Sequence, residues 1–112
     1  MGGSLRPNHL AEEVSWSLII RPQAEADLAE AFNWYEERRN GLGFEFLTEV
    51  RSILRIIGEN PLRHPAIYRN ARRALTRKFP YKIFYLFEAD KVEVIGVVHA
   101  KRHPQFWQQR VS

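Results

Sequence analysis

The chain has no cysteine. Disulfides and thiolate metal sites are excluded, which fits a reducing cytoplasm. No apolar run approaches the roughly 18 residues of a membrane span. The opening MGGSLRPNHLAEEVS has no apolar core that could serve a signal peptide. His, Asp and Glu show no metal-ligand spacing, so neither a metal nor a cofactor is expected. Gly41-Leu42-Gly43 lacks the lysine of a phosphate loop and reads as a turn. Glu36 and Glu37 are adjacent and cannot share one helix face as a catalytic carboxylate pair. Repeats and low-complexity tracts are missing too.

Acid is also missing where it would be expected. From Pro61 to Phe87 there is none, against seven bases: Arg63, Arg69, Arg72, Arg73, Arg77, Lys78 and Lys82. Residues 1–60 carry six basic and ten acidic side chains, −4, and residues 61–112 carry eleven and three, +8; together they give the net +4. Such asymmetry points to a phosphate-bearing or acidic partner on one face.

What is present is ordinary globular material, 45% hydrophobic and 27% charged. A chain of 112 residues holds one core and buries roughly 65 per cent of its unfolded surface. Residues 1–14 read as a leader and 15–112 as a single domain. Ser15–Arg21 is β-branched and aromatic, an edge or near-edge strand. Pro22 opens a helix over 22–39, where its missing N–H goes unnoticed. Ala24, Leu28, Ala31, Phe32 and Tyr35 form one apolar stripe. Asn40–Gly43 supplies a turn with positive φ. A second helix over 44–58 carries Leu47, Val50, Leu54 and Ile57, widened by Phe46 and Ile53. Gly58 and Asn60-Pro61 stop it. So short a turn makes the helices antiparallel neighbours.

After a connection over Pro61–Tyr68, three strands are predicted at 72–79, 81–87 and 92–99. YKIFYLF and VEVIGVVH are aromatic and β-branched, and EADK between them has hairpin length. The order β-α-α-β-β-β makes an α+β fold. An antiparallel C-terminal meander, joined by the N-terminal strand, carries the two-helix hairpin on one face. Trp34 reads as core and Trp107 as an anchor for the C-terminus; Trp16, like both, could instead stack a nucleobase.

Arg21-Pro22-Gln23-Ala24-Glu25-Ala26-Asp27-Leu28, Trp34-Tyr35 and Gly41-Leu42-Gly43 resemble the opening of the RelE/ParE toxin superfamily. Arg77-Lys78-Phe79-Pro80-Tyr81-Lys82-Ile83-Phe84-Tyr85 and Val97-Val98-His99-Ala100-Lys101-Arg102-His103-Pro104 resemble its C-terminal strands. The resemblance spans about Trp16 to Trp107 and is more ParE-like than RelE-like. It implies the toxin of a type II toxin–antitoxin, or plasmid stabilisation, system, cytoplasmic and neutralised by a cognate antitoxin with an acidic segment. ParE-like members inhibit DNA gyrase without catalysis. RelE-like members cut messenger RNA in the ribosome.

Each alternative singles out residues. Strand cleavage by a 2′-OH needs a base, an acid and charge stabilisation at phosphorus. His99, Tyr81 and Arg77 are the catalytic candidates for that case. Arg72, Arg73, Arg77, Lys78, Lys82, Lys101 and Arg102 are the candidates for holding a nucleic acid or protein target. A small basic RNA-binding domain is the third reading.

Overall fold

The computed structural model describes residues 17–111. The expected leader, Ser15 and Trp16 lie outside the described residues. In chain order the elements are β1 (Ser17–Ile20), α1 (Pro22–Arg38), α2 (Leu42–Glu59), β2 (Ala66–Tyr68), β3 (Ala71–Leu75), β4 (Tyr81–Glu88), β5 (Lys91–His99) and α3 (Gln105–Gln108). The expected α+β order stands. The sheet runs β1-β5-β4-β3-β2. β1 is an edge strand parallel to β5, and every other pairing is antiparallel.

The helical hairpin is built by its turn. Gly41 sits at φ +91°, where a side chain would be strained. A Cβ on Gly43 would meet a Phe32 ring carbon and the Phe32 carbonyl oxygen at 2.7 Å, so only glycine lets the helices close. Glu36, on α1, accepts the Gly41 and Gly43 N–H groups at 2.8 Å each and so caps α2. Glu36 thus has a structural role.

Both sheet faces are covered. Under the hairpin, Tyr35, Phe46, Val50 and Ile57 pack on Ile83, Tyr85, Val92 and Val94. On the other face Phe84, Leu86, Ile95 and Val98 are covered by Trp107 and Val111. Trp107 lies flat on Phe84, centroids 3.9 Å apart, and anchors the C-terminus as expected.

Four details differ from expectation. The strand placed at 72–79 ends at Leu75. Pro80 has no N–H for a ladder, Thr76 Oγ1 bonds the Phe79 and Tyr81 carbonyls, and Phe79 turns into the core against Tyr35 and Phe46. Within the expected connection over 61–68, Ala66–Tyr68 forms β2, only three residues long. On α2 the buried face is Phe46, Val50, Ile53 and Ile57, while Leu47 and Leu54 are half-buried on its flank; on α1, Leu28 and Phe32 are likewise half-buried. Trp34, expected in the core, is 50% exposed.

Candidate target-binding surface

Strand alternation divides the basic residues between two faces. Arg72 pairs with Tyr85, on the hairpin side, and Arg73 with Phe84, on the other. Arg72 is spent on structure, its guanidinium donating to the Leu62 and His64 carbonyls. Arg77 and Lys78 are exposed in the β3–β4 loop, where Glu49 of α2 accepts both backbone N–H groups. The cationic stretch is therefore not one face.

Two clefts meet at the end of β5 instead. The first, about 240 Å³, brings Arg73, Lys82, His99 and Arg102 together beside Phe84 and Trp107. Among the described residues no carboxylate lines it. The second, about 520 Å³, lies between α1 and the ends of β4 and β5. Trp34, Tyr35, Tyr81 and Phe106 form its aromatic walls, with Glu30 and Asp27 also present. Val98, His99 and Arg102 line both clefts. The guanidinium of Arg102 stands 3.9 Å over the Phe106 ring. Lys101, also a predicted contact, is exposed nearby in the loop after β5.

Local register sets the catalytic candidates side by side. Tyr81 pairs with His99 across β4 and β5, and their rings meet edge to face at 5.3 Å. His99 Nδ1 accepts the Lys101 N–H at 3.1 Å. That bond assigns the proton of the neutral ring to Nε2, which is then a donor. Burial pushes the Tyr81 phenol up to about 12, and the neighbouring Tyr35 and Glu30 add to the shift. Burial raises Tyr35 as well. Both phenols are O–H donors at neutral pH. Arg77 lines neither cleft.

Asp27 and Arg110 were not foreseen as partners. Arg110 Nη1 and Nη2 donate to Asp27 at 2.7 and 3.3 Å, and Nη1 reaches the Ile95 carbonyl at 3.0 Å. Asp27 also accepts the Val97 N–H. The pair ties the C-terminal segment to α1 past a bulge in the β4–β5 ladder. Gly96 leaves room there, since its Cβ would lie 3.1 Å from Arg110 Nη1. The 83-residue separation hides the pair from any reading of local pattern.

No curated protein sequence matches significantly. The chain is similar in structure to a toxin–antitoxin protein described as the chromosomal ParDE system from P. aeruginosa. The TM-score is 0.71 at 11% identity, over 78% of this chain and 98% of that one. That likeness concerns the fold. The sequence itself matches the family model described as the ParE toxin of the type II toxin–antitoxin system parDE, over residues 18–104. The match runs from β1 through both helices to Pro104, beside the clefts, and so takes in nearly every element described above. The chain belongs to the ParE toxin family, the toxin half of type II toxin–antitoxin pairs.

Proposed function

We propose that this toxin stops growth by disabling DNA gyrase in the cytoplasm, and that a cognate antitoxin with an acidic segment holds it inactive. The family match over residues 18–104 carries this reading. The chemistry at the end of β5 supports a binder over a nuclease. Cleavage by a 2′-OH needs a proton acceptor near the phosphate. His99 offers Nε2–H, because its Nδ1 is occupied by the Lys101 N–H. Tyr81, pushed up to about 12, stays protonated. Arg77, the third catalytic candidate, is away from both. The candidates therefore supply donors and positive charge without a base.

An acidic antitoxin segment that folds on binding would meet the positive half of the chain, and its association should slow as salt rises. The test is expression with and without the adjacent antitoxin gene, then assay of the purified toxin on gyrase supercoiling and on transcripts in the presence of ribosomes. Loss of supercoiling with intact transcripts is the expected result. Ribosome-dependent cleavage that His99→Ala abolishes would replace this reading with the endoribonuclease one.

A further inference from the structure

Arg73 Nε is buried and has no hydrogen-bond partner among the described residues. A buried charged donor left unpaired is unfavourable, and such groups mark a missing acceptor. Arg73 lines the small cleft, so an acceptor that enters there meets its guanidinium. Lys82 and Arg102 line the same cleft, and neither forms an ion pair with a carboxylate among the described residues. The Nε2–H of His99 adds a further donor. Three fixed cations and a donor around about 240 Å³ suit an oxyanion of more than one oxygen, which an arginine fork grips at two points.

We propose that this cleft takes a backbone phosphate of single-stranded nucleic acid, with the adjoining base in the aromatic cleft. A peptide carboxylate would satisfy Arg73 equally well. What decides for a nucleotide is the neighbour: the two clefts share Val98, His99 and Arg102, and the larger one is walled by aromatics. Trp34 is 50% exposed; the Arg38 guanidinium stands 3.8 Å over its ring, so a base would stack where Arg38 leaves the ring open or in its place. The acids also divide correctly. Among the described residues none lines the phosphate cleft, whereas Glu30 lines the aromatic cleft, where it can accept from an exocyclic amine. Asp27, the other acid there, is occupied by Arg110. The site binds a strand and cuts nothing, and it stands whether or not gyrase is the target.

The test is fluorescence anisotropy with the full chain and labelled oligo-dC and oligo-rC of equal length, whose bases carry an exocyclic amine, at several salt concentrations. Arg73→Gln should weaken binding by roughly ten- to hundred-fold and lower the salt slope by about one. Arg102→Gln, in an exposed loop where folding is not at risk, should act in the same direction. Trp34→Ala should weaken oligonucleotide binding and leave inorganic pyrophosphate binding unchanged. Arg51→Gln, exposed on α2, should change neither. Equal affinity for the two strands fits a site that reads phosphate alone, and a preference identifies which nucleic acid supplies it. The proposal fails if Arg73→Gln and Arg102→Gln bind like the wild type. It fails too if Arg51→Gln loses as much, or if poly-glutamate displaces the strand at equal charge concentration.

Discussion

His64 shows how one side chain couples the loop after α2 to the sheet. Its Nδ1 lies 3.3 Å from the Tyr85 hydroxyl, which donates to the Pro61 carbonyl. Its own carbonyl takes the Arg72 guanidinium. Burial, with Arg63 adding to it, lowers the His64 imidazole below its ordinary 6.5. The sign follows from which state binds the proton first. The unfolded chain protonates near 6.5, and the folded chain protonates only at lower pH. Stability from this residue is thus complete above about pH 6.5, and it declines as pH falls from there toward the folded value. Thermal melts at pH 7.5 and 5 should show the wild type losing more than His64→Gln, against a common carboxylate background. Equal losses would mean that the imidazole does not titrate differently in the two states.

Among the elements, α2 is the most informative. Its sequence carries apolar residues round more than half its circumference, so periodicity alone admits two neighbouring faces. The fold turns Phe46, Val50, Ile53 and Ile57 inward and leaves Leu47 and Leu54 on the flank. The cause is the aromatic group at the β3–β4 loop. Phe79 and Tyr81 pack edge to face on Phe46 at 5.4 and 4.9 Å, and this fixes the rotation of the helix. Ile53→Ala should therefore cost about 2–5 kcal/mol through lost burial and the cavity left behind. Leu54→Ala, already half-solvated, should cost about 1 kcal/mol. Urea unfolding of the two variants measures the difference. Similar losses would mean that the flank packs as core.

For the molecule as a whole, the consequence lies in having both sheet faces buried. A five-stranded sheet with helices on one side only would leave Phe84, Leu86, Ile95 and Val98 in water. The segment after β5 covers them, held by Trp107 on Phe84 and by Arg110 on Asp27. This segment also supplies Phe106 to the aromatic cleft. Truncation after Pro104 should therefore lower the melting temperature by several degrees or more and raise binding of a hydrophobic dye. It should do so with the hairpin still helical by circular dichroism. A truncated chain that melts like the wild type would show that the C-terminal segment is not part of the cooperative unit.

The element order, the helical hairpin and its turn were legible because each rests on local chemistry. Pro22 fits only a first turn, the apolar stripes repeat at helical spacing, and Gly41 meets a positive φ. The family resemblance was legible for the same reason, since it consists of short runs in order. β2 was not, because three residues carry no period. The end of β3 at Leu75 depended on Phe79 finding Tyr35 and Phe46. Trp34 looked like core from its neighbours in sequence, yet it sits at a cleft that exists only once α1 lies across β4 and β5. The run of bases announced a charged partner but could not say which cations would meet. Alternation sent Arg72 and Arg73 to opposite faces, and the loop took Arg77 and Lys78 out of the sheet. Strand pairing then brought Arg73, Lys82, His99 and Arg102 to one cleft. Composition and period act over a few residues and were determined by the sequence itself. Which distant side chains share a surface is set by register and packing, and only the tertiary structure decided it.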